Sequence, residues 1–250
     1  MIDRFYAQMQ AMQMLSKAQD VTADNLANIN TPGFKGGTIF YRLLQDNVDE
    51  NTDATGTPLT EAMQRINLEQ GILEPTGNLF DFGISGEGFF VVEEEGQTFL
   101  TRDGRFRMDS DGYLVNSRGA KVQGNAGDIR IQSYFQANGQ DGHEPVLEVA
   151  KDGTIRVNER AHDQIQIVNI SDPEKLERRG HAYFSIDEEF IKSDGEKGVM
   201  MQGYYEKGNV DPMNEMVDMM KTMQMFESQQ KAMQSSDETL SQAINSLGRF

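Results

Sequence analysis

The chain has 250 residues, of which 37% are hydrophobic and 25% charged, so it can fold around a core of ordinary size. Its formal net charge of −17 argues against nucleic acid and anionic membrane surfaces as partners, because long-range repulsion would oppose both contacts. The chain contains no cysteine, which excludes disulfides, thiolate nucleophiles and zinc–thiolate sites.

The first predicted element is a helix over residues 2–28, and together with the turn that follows it forms an N-terminal region of residues 1–34. Its apolar seam alternates spacings of three and four residues, as one face of a helix does. Pro32 and Gly33 end the helix and suit the centre of a type II turn. We therefore expect Gly33 at positive φ and Phe34 packed against neighbouring structure. Six of its eight positions are apolar or Ala, and the seam consists of Ile2, Phe5, Met9, Met12, Ser16, Gln19, Ala23 and Leu26.

Residues 35–78 are predicted to form an extended linker. Within it, residues 46–61 are acidic and rich in Asn, Asp, Thr and Gly, which predicts a long exposed loop.

Residues 79–207 predict an all-β domain, because short apolar runs recur roughly every 8–12 residues between turn signals. The Asp-Gly pairs at 103–104 and 152–153 predict hairpins. Residues 171–180 predict one short helix. The predicted strands are Leu79–Ile84, Phe89–Val92, Thr98–Arg102, Arg105–Met108, Tyr113–Val115, Leu147–Lys151, Thr154–Val157, Gln164–Ile170, Tyr183–Ile186 and Val199–Glu206.

The last region, residues 208–250, is predicted to be a C-terminal coiled-coil helix. Asp211 is a good N-cap and Pro212 a good first helical residue. Apolar residues then repeat over five heptads, interrupted by Gln230 and Asp237. The apolar seam positions are Met216, Met219, Met223, Phe226, Met233, Leu240, Ile244 and Leu247. Since isolated helices are marginal in water, the two terminal helices either fold back on the middle domain or pair with each other and with neighbouring copies.

No pattern of catalytic or metal-binding residues stands out in the chain. The histidines His143, His162 and His181 are far apart, which predicts surface or turn positions. Residues 109–112 begin like a calcium loop, but Ala120 stands where that loop requires glutamate, so a simple turn is expected. The sequence therefore predicts a protein that is not an enzyme and that carries no metal and no cofactor.

The chain also carries no recognisable membrane or secretion signal. No apolar run reaches the roughly 18–20 residues that span a bilayer, and residues 1–6 do not resemble a secretory signal peptide. We expect no direct membrane insertion.

Four segments resemble the signatures of one known family, the rod, hook and hook-associated proteins of the bacterial flagellum. The segments are Asn25–Lys35, Gly86–Val92, Thr101–Phe106 and Gly208–Met219. They occur in the order that the family has, although Asp24 stands where a further Asn is common. The turn that belongs to the first signature consists of Asn28, Asn30, Thr31, Pro32, Gly33 and Phe34.

The resemblance implies an α+β fold in which N- and C-terminal helices form a coiled coil, with a central all-β domain between them. It also implies a structural subunit of the flagellar basal-body rod, which self-assembles into a helical tube that transmits torque and passes exported proteins. The implied partners are other copies of the chain, neighbouring rod or hook proteins and the flagellar type III export apparatus. Both helix seams become assembly interfaces, and the subunit is exported to the basal body without a cleaved signal peptide. The length resembles that of rod proteins with one β-domain, which are the proximal-rod and distal-rod types. The ending of the chain, residues 235–250, resembles the proximal-rod type more, and the distal-rod type is the second choice.

The alternative is a secreted coiled-coil adhesin or surface oligomer with a β head. The β head of such a protein sits on a helical stalk, which needs one long self-pairing helix. The heptads here are instead split between two chain ends that lie about 180 residues apart. The rod interpretation is therefore preferred.

Overall fold

The computed structural model describes residues 2–44, 59–138, 146–180, 182–192 and 198–247. An N-terminal helix precedes a mostly β region and a C-terminal helix follows it, so the predicted α+β order is confirmed. The helices are α1 (Ile2–Ala27), α2 (Ile131–Asn138) and α3 (Pro212–Leu247). The strands are β1 (Gly37–Leu44), β2 (Leu59–Ile66), β3 (Leu73–Pro75), β4 (Phe82–Ser85), β5 (Phe89–Glu94), β6 (Gln97–Thr101), β7 (Arg107–Met108), β8 (Leu114–Val115), β9 (Lys121–Gly124), β10 (Gly127–Asp128), β11 (Leu147–Val149), β12 (Thr154–Val157), β13 (Arg160–Gln164), β14 (Ile167–Ile170), β15 (Glu177–Arg179), β16 (Tyr183–Ser185), β17 (Ile191–Lys192), β18 (Val199–Gln202) and β19 (Tyr204–Glu206).

The chain divides into two compact units. Unit 1 consists of Met1–Ala27, Gly37–Arg65 and Asp211–Phe250, and unit 2 of Asn28–Gly36 and Ile66–Val210. No helix within the described ranges has the length and apolar character needed to cross a membrane.

In unit 1, helix α1 packs against helix α3, and strands β1 and β2 pair with each other. This sheet lies where the sequence predicted an extended linker, and it fits the β-branched and aromatic side chains of Gly37–Leu44. Of the predicted loop, residues 59–61 belong to β2, and residues 46–58 lie outside the described residues.

The start of α3 confirms the predicted cap. The Asp211 carboxylate Oδ1 accepts the backbone N–H of Met213 at 2.9 Å, and Pro212 is the first helical residue. The cap satisfies one of the backbone donors that a helix leaves unpaired at its N-terminus.

Unit 2 is built around an antiparallel sheet whose main path runs β15-β16-β6-β5-β9-β8-β7. Strand β5 lies at its centre and is buried on both faces. Phe90 and Val92 join the larger hydrophobic cluster, whereas Phe89 and Val91 join a second cluster with Phe184. This two-sided burial explains why Phe89–Val92 is a continuous apolar run instead of an alternating one.

Two predicted turns in unit 2 are confirmed, and one histidine differs from its expected position. The turn at 109–112 is confirmed, because Asp109 Oδ1 accepts the N–H groups of Asp111 and Tyr113 at 3.0 and 2.7 Å. The hairpin at 152–153 is confirmed by the pairing of β11 with β12. Among the three histidines, His162 belongs to the described part of the structure. It stacks on the ring of Tyr134, whereas a surface or turn position was expected.

Two further predictions were wrong. Residues 103–104 do not close a hairpin, because β6 pairs with β5 and β16 while Arg105 bridges to Asp81. The expected helix over 171–180 is only a 3-10 turn, Pro173–Lys175, which precedes strand β15. Asp172 caps that turn as the sequence suggested, but the residues after it pair with β16.

Candidate functional site

The turn after α1 has the predicted geometry. The N–H of Phe34 donates to the Thr31 carbonyl at 3.3 Å, and Gly33 has a φ of 67°. Phe34 is completely buried, and the Arg178 guanidinium lies 4.4 Å from the centre of its ring. Of the predicted turn residues, Asn28, Pro32, Gly33 and Phe34 are buried, Thr31 is half-buried and Asn30 is exposed.

Gly33 packs directly on the backbone of a distant segment. Its N–H donates to the carbonyl of Glu206 at 2.7 Å. A Cβ at this position would lie 2.1 Å from the backbone N of Asp103 and 2.3 Å from the carbonyl carbon of Arg102. Glycine is therefore required here for close approach as well as for its positive φ.

Three buried charges lie beside the turn. Lys35 Nζ is 2.6 Å from Glu206 Oε1, and Arg102 Nη1 is 3.1 Å from Glu206 Oε2. The side chains of Lys35, Arg102 and Glu206 are 1%, 4% and 1% exposed. Burial lowers the pKa of Lys35 and of Arg102, and the carboxylate of Glu206 opposes this change in both cases. One buried carboxylate thus holds two cations from different segments.

Backbone groups complete the surroundings of these charges. Lys35 Nζ donates to the Glu69 carbonyl at 2.7 Å, and Arg102 Nη2 donates to the Gly86 carbonyl at 2.9 Å. The N–H of Gly71 donates to Glu206 Oε1 at 2.8 Å. Such partners offset much of the cost of taking charges out of water.

Asn209 ties the same segments together with a neutral side chain. Its Oδ1 accepts the N–H of Gly36 at 2.7 Å, and its Nδ2 donates to the carbonyls of Asn67 and Glu69, both at 2.9 Å. We call the assembly of residues 28–36, 67–71, 102–104 and 206–209 the junction. All of it belongs to unit 2.

The junction contains parts of three of the four segments that carry the family resemblance, and Arg102 donates to the fourth at the Gly86 carbonyl. Sequence reasoning singled out the turn but assigned no role to Lys35, Arg102, Glu206 or Asn209. Charged residues are almost never fully buried unless they are paired, and that burial becomes visible only in the folded chain. Among the described residues, no group of three or more His, Cys, Asp or Glu side chains is placed to hold a metal ion.

In unit 1, one face of α3 is less exposed than the rest. Its positions alternate spacings of four and three residues, so they form a single stripe along the helix. Because α3 packs on α1, we assign this inner stripe to that contact. The residues of the inner stripe are Glu215, Met219, Thr222, Phe226, Gln229 and Met233.

The predicted seam residues fall into three groups. Half-buried are Met12, Leu26, Met219, Phe226 and Met233. Exposed are Met9 at 41%, Met216 at 51% and Met223 at 45%. Gln230 and Asp237, which interrupt the seam, are exposed as well. The side chains of Ile2, Phe5, Leu240, Ile244 and Leu247 lie outside the described part of the structure. The predicted α3 seam is thus divided between the inner stripe and exposed positions.

Comparison with known proteins identifies the family to which the chain belongs. Residues 83–157 match the family model described as the flagellar hook protein FlgE/F/G D1 domain, residues 201–247 the flagellar basal body rod FlgEFG protein C-terminal, and residues 5–35 the flagella basal body rod protein. A FlgG protein of Borreliella burgdorferi is 32% identical over 90% of this chain and 91% of its own length. The chain belongs to the flagellar basal-body rod protein family.

Two relatives named FlgF match the chain from end to end. The FlgF protein of Mesorhizobium japonicum is 28% identical over 99% of both chains, and that of Caulobacter vibrioides is 28% identical over 100% of both. These matches support a basal-body rod protein most like FlgF, the proximal-rod type that the resemblance of the C-terminal ending favoured. The chain is a structural rod subunit of the flagellar basal body, and family membership implies self-assembly with other rod or hook proteins.

Proposed function

We propose that this rod subunit assembles through its terminal helices. Within one subunit α1 and α3 pair as a coiled coil, and their outward-facing apolar side chains bind neighbouring copies and neighbouring rod or hook proteins. Repetition of that contact builds a helical tube that transmits torque and passes exported proteins, since a head-to-tail contact that does not close generates a helical assembly.

The observation that carries this proposal is a second, outer stripe on α3. Met213, Met216, Met220 and Met223 follow one another at spacings of three and four residues and are all exposed. The net charge of −17 favours solubility, whereas exposed methionines do not contribute to it. Rows of exposed methionines are typical of binding surfaces. Glu227, Gln230 and Gln234 continue the same face with polar side chains. The outer stripe is therefore confined to the first turns of α3.

The junction supports the pairing of the helices. In unit 2 the segment that follows α1 and the segment that precedes α3 lie side by side, since Gly33 donates to Glu206 and the N–H of Asn209 donates to the Phe34 carbonyl at 3.3 Å. The chain therefore enters and leaves unit 2 at neighbouring places, which favours two helices that meet.

Three single substitutions in α3 test the proposal. Phe226→Asp places a carboxylate in the inner stripe and is expected to weaken the α1–α3 contact by several kcal/mol, roughly, and to abolish assembly. Met223→Asp alters the outer stripe and is expected to change the stability of the free subunit by less than about 0.5 kcal/mol, yet also to abolish assembly. The matched control is Ser228→Asp, an exposed position that faces neither stripe.

The measurements are urea unfolding of each purified subunit, swimming in soft agar and electron microscopy of purified basal bodies. Normal rods in cells with Met223→Asp would refute the outer stripe as an assembly surface. Normal rods with Phe226→Asp would refute the helix pairing.

We propose further that the subunit leaves the cell through the flagellar type III export apparatus without cleavage of a signal peptide. The family resemblance supports this route. The test is to follow the tagged subunit in cells that lack the export ATPase and in matched wild-type cells. Continued appearance of the subunit outside the cytoplasm, or a shortened N-terminus in its mass spectrum, would contradict the proposed route.

A further inference from the structure

One side chain near the end of α1 contacts three elements of unit 1. Asn25 is 3% exposed. Its Oδ1 accepts the N–H of Gly37, at the start of β1, at 2.7 Å. Its Nδ2 donates to the carbonyl of Gly37 at 2.9 Å and to Glu215 Oε1, in the first turn of α3, also at 2.9 Å. The amide therefore joins α1, β1 and α3.

Only an amide can make this set of contacts. The Gly37 backbone presents a donor and an acceptor, and Glu215 presents an acceptor, so the central side chain must offer one acceptor and two donors. An aspartate at this position would retain the bond from the Gly37 N–H but would face the Glu215 carboxylate with a second negative charge. An alanine would leave buried polar groups without partners.

The electrostatic surroundings make the Asn25 amide important to Glu215. Burial raises the pKa of Glu215, the hydrogen bond from Asn25 opposes that change, and Asp218 and Asp211 raise the pKa further. These two aspartates lie on or beside the start of α3, whereas α1 and β1 contribute the Asn25 amide and the Gly37 backbone. Asn25 is thus the donor that compensates a carboxylate set among other carboxylates.

The hydrogen bond between Asn25 and Glu215 also fixes the register of the two helices, which is their offset along the helix axis. Asn25 is near the C-terminal end of α1 and Glu215 is near the N-terminal end of α3, so the helices run antiparallel along their contact. Heptad seams rich in methionine pack acceptably in more than one register, because Met is flexible and adapts to irregular gaps. A buried polar pair is satisfied in one register only.

We infer that Asn25 is the positioning residue that sets the register of α3 on α1, and that an amide is required there. The consequence for assembly rests on the proposed function. A helix contact that repeats between subunits requires the outer stripe to have the same axial position relative to α1 in every subunit. The positioning role itself concerns the single subunit and can be tested without assembly.

Cross-linking reads the register directly, because the natural chain contains no cysteine. Ala18 lies seven residues before Asn25 and Thr222 seven residues after Glu215, so both lie about 10.5 Å from the contact in the antiparallel register. Both positions are half-buried. The full-length chain with Ala18→Cys and Thr222→Cys is treated with a short bis-maleimide, and the rate of cross-linking is measured.

Three variants of this double-cysteine chain are compared. Asn25→Asp is expected to lower the cross-linking rate about tenfold at neutral pH, the size expected when a hydrogen bond to a charged group becomes a repulsion. Maleimide reacts with the thiolate, so acid slows cross-linking in every variant, and each rate is compared with that of the parent double-cysteine chain at the same pH. On that scale the rate should recover near pH 4–5, roughly, as the two carboxylates come to share a proton. It should also recover at neutral pH when Glu215→Gln is added. Gln13→Glu makes the same amide-to-carboxylate change on an exposed position of α1 and should leave the rate unchanged.

An unchanged rate in Asn25→Asp would overturn the proposal. A loss that neither acid nor Glu215→Gln reverses would overturn it as well, because the pairing with Glu215 would not be the cause. Normal swimming of Asn25→Asp cells, together with the expected cross-linking, would count against the proposed assembly through the helices and leave the positioning role standing.

Discussion

The junction and the helix pair are two contacts of opposite character in one chain. In the junction, charged groups are buried and meet partners from the same subunit, as Glu206 does with Lys35 and Arg102. Along α3, apolar side chains such as Met216 and Met223 remain exposed. The comparison teaches that the chain pairs its buried charges internally and leaves part of its apolar surface exposed. Substitutions in the junction should therefore act on the free subunit, whereas those on the outer stripe should act only on assembly.

The largest effect on the free subunit is expected from Gly33→Ala. The new Cβ would lie 2.1 Å from the backbone of Asp103, which no side-chain rearrangement relieves. We expect a loss of at least about 5 kcal/mol in the free energy of unfolding, or displacement of the turn from the junction. Urea unfolding followed by circular dichroism measures the first outcome, and hydrogen exchange of the Gly33 and Gly71 amides the second.

Gly77→Ala is the matched control for this change. Gly77 has a similar φ, 70°, but a Cβ there would meet nothing within 4 Å. Gly77→Ala should therefore lower the free energy of unfolding by only about 1–2 kcal/mol, the cost of a residue with a Cβ in the left-handed region. Equal losses in the two variants would mean that close packing on Asp103 adds nothing to the cost of positive φ.

A smaller effect is expected from Glu206→Gln. Removing the carboxylate leaves two buried cations without their counter-charge, and breaking such a group typically costs about 3–5 kcal/mol. The control is Glu177→Gln, which removes an exposed pair with Arg179 and should cost less than about 1 kcal/mol. Urea midpoints compare the two variants, and a loss in Glu206→Gln no larger than in Glu177→Gln would show that burial adds nothing to this ion group.

The smallest effect, and one of opposite sign, is expected from Asp103→Asn. Burial raises the pKa of Asp103 above 3.8, the nearby Arg105 opposes that change, and Asp81 adds to it. The folded state therefore holds this proton more tightly than the unfolded state, so ionised Asp103 lowers stability at pH values above its folded pKa. That cost falls as the pH drops through the folded pKa and is absent below the ordinary value.

Asp103→Asn should accordingly be more stable than the natural chain at neutral pH, and the difference should close in acid. Glu74→Gln should do the reverse, because hydrogen bonds from Tyr205 and Lys207 lower the pKa of Glu74. Its loss of stability should be present at neutral pH and vanish as the pH falls below that lowered pKa. Melting temperatures measured across pH would reveal the two opposite slopes, and parallel slopes would contradict both assignments.

Local signals predicted the helix ends and several turns well. Pro32-Gly33 ends the first helical segment through proline sterics and glycine φ, and Asp211-Pro212 begins the last through capping. Both effects act within a few residues, so the sequence contains them completely. Strand β5 was predicted for a similar reason, because Phe89–Val92 is apolar on both faces.

The failures have non-local causes. Asp103-Gly104 has the composition of a hairpin turn, but Gly104 is there because a Cβ would lie 1.7 Å from the Phe82 carbonyl oxygen. A sequence window cannot distinguish a glycine that permits a turn from one that permits close approach. The charges of the junction were missed likewise, since Lys35, Arg102 and Glu206 become neighbours only in the folded chain. On α3, methionines occur on both the inner and the outer stripe, so composition alone could not assign each position to one of them.

The bond between Lys35 and Glu206 joins residues 171 positions apart, and that between Arg102 and Glu206 joins residues 104 apart. During synthesis, a chain that has not yet reached residue 206 lacks the carboxylate that both cations require. Contacts of such high sequence separation carry a loop-closure cost that local contacts do not, and they form late in folding. We therefore expect the Gly33 and Gly71 amides, whose acceptors both belong to Glu206, to gain protection together and last in pulsed hydrogen exchange during refolding. Early protection of either amide would contradict this order, in which the subunit cannot close around its own N-terminal turn until nearly the whole chain is present.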